Sequence, residues 1–105
     1  MGKCIFCKIA NGEQKADIIF ENDKIVVFKD INPKAPVHLL IVPRKHIRSI
    51  NNLKKEDNSL IGEMIFLAKD LAKKQKIDKE GYRLMFCVEK GGGQSVFHLH
   101  LHLYG

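Results

Sequence analysis

The chain has 105 residues, of which 45% are hydrophobic and 29% charged; this composition favours a folded globular protein over a disordered chain, and the length predicts one domain over residues 1–105. No apolar run reaches the roughly 20 residues of a membrane helix, no hydrophobic signal core is present, and three cysteines cannot all pair, so we expect a cytoplasmic protein without membrane association. The net charge is +6, but the basic residues do not form a stripe interleaved with aromatic residues. The sequence therefore favours a solvated basic surface over a nucleic-acid partner.

The first half of the chain predicts a short helix followed by three strands. The helix covers residues 4–10 and ends at Asn11-Gly12, a pair that favours helix termination. Strands are predicted at residues 18–20, 25–28 and 37–42. The first two form a hairpin, and the third is apolar enough to be a central strand buried on both faces.

His38 is the only polar residue inside that third strand. It is therefore either hydrogen-bonded within the core or presented to a functional site. A loop over residues 30–36 with two prolines precedes the strand, and Pro43 closes it.

The second half of the chain predicts one long amphipathic helix and two more strands. The helix runs from about Glu56 to Lys76, where apolar residues recur every three or four positions. Its apolar stripe is wide, so it packs either on the core alone or also on a second subunit. Strands follow at residues 82–88 and from His98 onward. The fold class is therefore α+β, an antiparallel sheet of about five strands packed with one long and one short helix.

Three histidines alternate with leucines near the end of the chain, in the sequence His98-Leu99-His100-Leu101-His102-Leu103. In a strand this spacing places the histidines on one face and the leucines on the other. Such a row suits a metal site, acid–base or nucleophilic catalysis, or a structural hydrogen-bonded cluster.

The glycine run before the histidines favours catalysis on phosphate. Consecutive glycines at residues 91–93 allow backbone N–H groups to converge on an anion, and Ser95 adds a hydroxyl donor. A neutral imidazole can attack phosphorus and form a phosphorylated histidine that water then hydrolyses. The other histidines can stabilise the phosphate oxygens and the leaving group.

These residues resemble the histidine triad (HIT) family, whose motif is met from His98 to Tyr104. The resemblance extends over nearly the whole chain, through the segments CIFCKIANGE, FKDINPKAPVHLLIVPRKHI and GGGQSVFHLHLHLYG. It indicates the Hint-like branch of nucleoside phosphoramidases and nucleotide hydrolases. It implies a homodimer that cleaves P–N or P–O bonds at the α-phosphate of a purine nucleotide and releases a nucleoside monophosphate, without a catalytic metal.

The resemblance also implies a role for each matching catalytic residue. His100 matches the nucleophile, and His102 matches the histidine that binds phosphate and handles the leaving group. Ser95 matches the residue that contacts the scissile phosphate, with Gln94 beside it. His98 matches the first histidine of the triad, and His38 a fourth family histidine near it.

The nucleotide-binding residues follow from the same resemblance. Asp30 matches an acidic residue that bonds both ribose hydroxyls. The apolar walls of the purine slot are matched by Ile5, Phe6, Ile9, Phe28, Ile31 and Leu40. Without the resemblance, these six residues would be interpreted as ordinary core. Cys87 stands where the family usually has asparagine, a change that replaces a good donor by a weak one beside the phosphate site.

The Cys4-x-x-Cys7 pair admits three interpretations. It is a redox pair, two buried thiols acting as small hydrophobic groups, or half of a zinc site that needs two more ligands. The resemblance to bacterial family members implies structural zinc, with His46 and His98 as the remaining ligands.

Two functions compete with the phosphoramidase hypothesis. A dinucleoside polyphosphate hydrolase would use the same residues on another substrate. A binding or regulatory module would hold nucleotides or a protein partner without turnover.

Overall fold

The structure is a computed structural model that describes residues 4–105. It contains seven principal elements: α1 (Ile5–Ala10), β1 (Ile18–Glu21), β2 (Ile25–Lys29), β3 (His38–Pro43), α2 (Asn58–Lys74), β4 (Arg83–Met85) and β5 (Leu101–Tyr104). The strands form one antiparallel sheet in the order β1-β2-β3-β5-β4. The predicted fold class, an antiparallel five-stranded sheet with one long and one short helix, is confirmed.

The third predicted strand occupies the centre of the sheet. Every residue of β3 is buried, and it pairs with β2 on one side and β5 on the other. Its continuous run of apolar β-formers is the pattern of a strand covered on both faces. His38 begins this strand and is buried as well.

The two faces of the sheet pack against different helices. On one face, the apolar stripe of α2 buries Met64 and Leu71 against residues of the sheet such as Leu101 and Leu103. On the other, Phe6 and Ile9 of α1 pack against a second cluster that includes Phe28, Leu40 and Val42. Because side chains alternate along β5, His102 faces away from α2, on the same side as its register partner Leu40.

The long helix begins two residues later and ends two residues earlier than predicted. A 3₁₀ turn at Lys55–Asp57 precedes α2, and the Asp57 carboxylate accepts a hydrogen bond from the backbone N–H of Lys54 at 2.9 Å. Lys73 and Lys74 occupy the last turn, where cations complement the helix dipole. Within residues 4–105, no helix is both long and apolar enough to cross a membrane.

Candidate functional site

A cavity of about 340 Å³ opens beside α1, on the face of the sheet opposite α2. Ten of its lining residues were expected at the site: Ile5, Phe6, Ile9, Phe28, Asp30, Ile31, Leu40, Ser95, His100 and His102. The cavity therefore brings together the apolar slot, the carboxylate and two of the three alternating histidines.

The apolar end of the cavity is shaped by aromatic rings and aliphatic side chains. The ring of Phe6 meets that of Phe28 edge-on, with centroids 5.3 Å apart. Phe6 also lies perpendicular to the imidazole of His100, at 5.1 Å between centroids. Ile31 is 90% exposed and stands at the rim. A flat apolar slot of this kind accepts a planar aromatic group, with the histidines at its polar end.

The strand that carries the histidines was predicted to begin at His98. In the structure it begins at Leu101. The ladder between β3 and β5 ends at the pair Ile41 and Leu101. Beyond it, Pro43 has no N–H to donate, and its carbonyl accepts a hydrogen bond from the His98 ring at 2.7 Å. The backbone N–H of Leu99 donates instead to the carbonyl of Ile47 at 2.6 Å.

The proton on His100 is fixed by a backbone carbonyl. Nδ1 of His100 lies 2.7 Å from the carbonyl oxygen of His98. A carbonyl only accepts, so Nδ1 carries the proton, and Nε2 of the neutral ring holds a free lone pair. Burial lowers the pKa of His100 below its ordinary value, which keeps that lone pair available at neutral pH.

A line of hydrogen bonds fixes the opposite tautomer on His102. The backbone N–H of Lys34 donates to Nδ1 of His38 at 3.1 Å, so the proton of His38 is on Nε2. That Nε2–H donates to Nδ1 of His102 at 3.0 Å. The remaining nitrogen of neutral His102, Nε2, therefore carries a proton and is a donor.

Asp30 lies at the end of the same line. Its Oδ2 is 3.4 Å from Nε2 of His38, and its Oδ1 accepts from the backbone N–H of Asn32 at 2.9 Å. Asp30, His38 and His102 present ligand atoms within 4.8 Å of one another. Because His38 uses Nε2 as a donor, however, hydrogen bonding accounts for this group without a metal.

Burial sets the charge of His102 as well. Burial above all, together with the neighbouring His100 and His38, lowers the pKa of His102 from 6.5 to about 4. Asp30 acts in the opposite direction without reversing the shift. Neutral His100 and His102 therefore coexist in the cavity, one as a lone-pair donor and the other as a proton donor in a hydrogen bond.

The glycine loop leads directly into the cavity wall. A 3₁₀ turn covers Lys90–Gly92, and Gly93 follows with φ +88°, a left-handed conformation that favours glycine. Ser95 lines the cavity, whereas Gln94 is buried beside it. The Gln94 side chain bonds only to backbone groups among the residues described.

His98 points away from this cavity and into a second cluster. Its Nε2–H donates to the Pro43 carbonyl, so the lone pair is on Nδ1. That Nδ1 lies 3.3 Å from Sγ of Cys4, 3.5 Å from Sγ of Cys7 and 3.1 Å from Nδ1 of His46. Cys7 Sγ and His46 Nδ1 are 3.3 Å apart. The four side chains converge, as the zinc hypothesis requires.

The cluster of Cys4, Cys7, His46 and His98 fits a tetrahedral metal ion. Zinc with sulfur at about 2.3 Å and nitrogen at about 2.1 Å holds its ligand atoms about 3.4 to 3.8 Å apart, close to the spacings observed. The bond from His98 to a backbone carbonyl is the outer contact typical of a ligating histidine. Burial, aided by Cys4, raises the pKa of the Cys7 thiol to about 11, so a thiolate here needs a cation.

The cavity also contains residues that sequence reasoning missed. They are Gln14, Lys15, Ala16, Lys29, Asn32 and Val96. The first three belong to the connection between α1 and β1, which carries no recognisable motif. Lys29 and Asn32 lie within two residues of Asp30, and this proximity is the one signal that could have identified them. Three residues expected at the site do not line the cavity and are buried instead: His38, His98 and Gln94.

Comparison with known proteins places the chain among related sequences and structures. A family model described as "Scavenger mRNA decapping enzyme C-term binding" matches residues 3–105. Protein HitA of Neisseria gonorrhoeae is 43% identical over 105 residues, covering 100% of this chain and 97% of that protein. The purine nucleoside phosphoramidase of Escherichia coli K12 is 40% identical over 101 residues, covering 96% and 85%.

Two solved structures superimpose on nearly the whole chain. The HIT family hydrolase of Legionella pneumophila Philadelphia 1 superimposes with a TM-score of 0.97 at 50% identity, covering 98% of this chain and 92% of that one. A histidine triad protein of Clostridium difficile gives a TM-score of 0.95 at 36% identity, covering 99% and 90%.

Proposed function

Because the chain belongs to the histidine triad family, we propose that it is a purine nucleotide hydrolase that cleaves P–N or P–O bonds at the α-phosphate. The observation that carries this proposal is the pairing of tautomers in one cavity: an unprotonated Nε2 on His100 and a protonated Nε2 on His102. A nucleophile and a donor are thus provided beside an apolar slot. The purine nucleoside phosphoramidase named above supports this choice of substrate.

The proposed reaction has two steps. In the first, Nε2 of His100 attacks the α-phosphorus and forms a nucleotidyl-histidine as the bond to the leaving group breaks. The developing positive charge on the ring is stabilised by the bond from Nδ1–H to the His98 carbonyl. Nε2–H of His102 and the Ser95 hydroxyl are the donors for atoms that gain negative charge. In the second step, water attacks phosphorus as the bond between phosphorus and Nε2 of His100 breaks, which releases a nucleoside monophosphate and returns His100 to its neutral form.

The remaining lining residues hold the nucleoside in this proposal. The purine lies in the slot of Phe6, Phe28 and Leu40 together with the isoleucines of the lining. Asp30 accepts hydrogen bonds from the ribose hydroxyls. His38 acts through His102, by fixing its tautomer.

The test compares His100→Ala with the unaltered protein on a fluorogenic adenosine phosphoramidate. We expect turnover to fall by at least about a thousandfold, because His102, the other imidazole that lines the cavity, carries a proton on Nε2 and has no lone pair there for attack. The remote exposed residue Lys73 provides the control variant Lys73→Ala, which should retain full activity. Undiminished turnover by His100→Ala would reject the mechanism.

The same protein separates the competing functions. In a single turnover with labelled nucleotide, the unaltered chain should trap label on His100 and the alanine variant should not. Faster turnover of a dinucleoside polyphosphate than of the phosphoramidate would identify the former as the substrate class. Nucleotide binding without turnover or trapping would identify a binding module.

We also propose that Cys4, Cys7, His46 and His98 bind one structural zinc ion. Bound there, zinc would supply charge neutralisation for two thiolates and tie α1 to the β3–α2 connection and to the segment before β5. Metal-free protein titrated with zinc should bind one ion per chain and melt at a higher temperature. Cys7→Ser should lose this binding, whereas Cys87→Ser should keep it, because Cys87 lies outside the cluster. Absence of zinc binding with full thermal stability would refute the site.

A cytoplasmic homodimer completes the proposal. Ile65 and Phe66 on α2 are 45% and 68% exposed, and β4 lies at the edge of the sheet with Leu84 partly exposed. Large apolar groups on a helix face and an open strand edge are typical of subunit contacts. Light scattering should give twice the mass of the chain, and the mass of a single chain would refute dimerisation.

A further inference from the structure

Glu89 has a backbone conformation that almost only glycine adopts. Its φ is +59° and its ψ 177°, a region in which a Cβ is strongly disfavoured. The strained residue stands immediately before the 3₁₀ turn at Lys90–Gly92, at the entrance of the glycine loop. Conformations of this kind persist only where the surroundings hold them, and they concentrate at functional sites.

Hydrogen bonds from the side chains of Arg48 and Ser49 hold the Glu89 carboxylate. Nε of Arg48 donates to Oε2 at 3.0 Å and Nη2 of Arg48 to Oε1 at 2.9 Å, in a two-pronged pairing. The hydroxyl of Ser49, which is fully buried, donates to Oε2 at 3.0 Å. The Arg48 guanidinium is itself held over the ring of Phe97, 4.3 Å from its centroid.

The backbone of Glu89 is bonded to the loop that it precedes. Its N–H donates to Oε1 of Gln94 at 2.8 Å, and its carbonyl accepts from the N–H groups of Gly92 and Gln94 at 3.0 and 3.1 Å. Gln94 completes the connection, because its side-chain amide donates to the carbonyls of Arg48 at 2.7 Å and Val96 at 3.0 Å. Arg48, Ser49, Glu89 and Gln94 thus form one hydrogen-bonded unit, here named the loop clasp.

The loop clasp surrounds the backbone of Ser95 without entering the cavity. Ser95 lies between Gln94 and Val96. On one side the backbone N–H of Gln94 donates to the Glu89 carbonyl, and on the other the Val96 carbonyl accepts from the Gln94 side chain. Ser95 lines the cavity together with His100 and His102. Of these clasp members, neither Arg48 nor Glu89 lines it. The clasp can therefore affect phosphate chemistry only through the position of the loop and Ser95.

We propose that Arg48 and Glu89 are positioning residues that hold the glycine loop and Ser95 in the geometry required by the phosphate. This inference rests on the proposed function, since the phosphate site is the one proposed above. It also explains the strained conformation of Glu89, which lets the carboxylate bond to Arg48 and Ser49 while the chain enters the glycine loop.

Two substitutions separate positioning from simple stability. Glu89→Gly removes the carboxylate and also relieves the backbone strain, whereas Glu89→Ala removes the carboxylate and keeps the strain. We therefore expect the glycine variant to melt at a higher temperature than the alanine variant. If the clasp positions Ser95, kcat on the adenosine phosphoramidate should fall at least about threefold in both variants, independently of their melting temperatures. A glycine variant that loses less than about threefold in kcat would overturn the proposal.

Binding measurements provide a readout that a general loss of structure would not give. Adenosine lacks phosphate and should bind the Glu89→Gly variant with unchanged affinity, whereas AMP should bind it more weakly than it binds the unaltered protein. An equal loss for adenosine and AMP would mean that the whole cavity is distorted and would overturn the inference. Glu89→Gln keeps an acceptor for Ser49 and Arg48 and should restore part of the kcat; no restoration relative to Glu89→Ala would count against the clasp.

A matched control exists in an arginine–glutamate pair outside the clasp. Arg44 pairs with Glu21 at 2.8 Å, also in a surface arginine–glutamate contact, and Glu21 does not line the cavity. Glu21→Ala should leave kcat and AMP affinity unchanged. If the unaltered protein shows no turnover, the proposed function fails, but the comparison of AMP with adenosine still tests the clasp. If turnover is normal and the Glu89 variants match Glu21→Ala, the clasp alone fails.

Discussion

The depressed pKa of His102 predicts a specific acid sensitivity of the fold. In the folded protein, burial lowers this pKa from 6.5 to about 4. The unfolded chain therefore binds a proton at His102 that the folded chain excludes, and the stability contributed by the neutral ring is complete above about pH 6.5 and lost as the pH falls towards 4. His102→Asn keeps an acceptor for His38 and removes the titration.

The size of the effect follows from those two pKa values. At about pH 5 the linkage amounts to about 2 kcal/mol, which we reduce to about 1 kcal/mol because His102 is partly exposed and solvent screens the shift. The unaltered protein should therefore lose about 1 kcal/mol more than His102→Asn between about pH 7.5 and pH 5. In melting temperature the differential loss is about 4–8 °C for a chain of this size.

Urea unfolding of metal-free protein, followed by circular dichroism at both pH values, measures this difference. The free-energy gap between the two proteins at the higher pH contains every pH-independent consequence of the substitution, so only the change in the gap is interpreted. A gap that stays constant within about 0.3 kcal/mol would refute the reasoning.

Two further predictions concern the loop and the tautomers. Gly93→Ala should destabilise the protein by about 1–2 kcal/mol because of its φ of +88°, whereas Gly91→Ala, which has an ordinary φ and no atom within 4 Å of a new Cβ, should be nearly neutral; urea unfolding distinguishes them. In ¹⁵N NMR spectra of the imidazoles, His100 should carry its proton on Nδ1 and His98 on Nε2, and the same tautomer for both would contradict the assigned hydrogen bonds.

Periodicity predicted the parts of the fold that depend on local sequence. The alternation correctly separated Leu101 and Leu103, which pack in the core cluster with α2, from His102 on the opposite face. It did not hold at His98, which precedes the strand and faces Cys4 and His46. The apolar run of β3 correctly indicated a central strand. Both results follow from side-chain direction along an extended chain, which requires no knowledge of the partner.

The contacts that define the clasp could not be predicted in this way. Arg48 and Glu89 are 41 residues apart, and neither belongs to a motif. Nothing in the sequence places Glu89 in a conformation typical of glycine, because glycine and not glutamate is the signal for a positive φ. The late start of β5 has a similar origin: it depends on Pro43 standing across from the histidine segment, which register alone determines.

The three alternating histidines are chemically equivalent in sequence and become different through backbone carbonyls. The Pro43 carbonyl takes the Nε2 proton of His98 and leaves its Nδ1 facing Cys4, Cys7 and His46. The His98 carbonyl takes the Nδ1 proton of His100 and leaves Nε2 free. His102 bonds to no carbonyl among the described residues, and its tautomer comes from His38.

This arrangement explains why one segment can serve two sites without interference. His98 contributes its lone pair to the cysteine cluster and its carbonyl to His100, so the same residue faces the proposed metal ligands through its ring and the proposed nucleophile through its backbone. A shift of His98 would therefore disturb both sites, whereas loss of either His100 or His102 would leave the cysteine cluster intact. The segment before β5 needs its irregular backbone for this reason, because in a regular ladder the His98 carbonyl would be directed at a neighbouring strand.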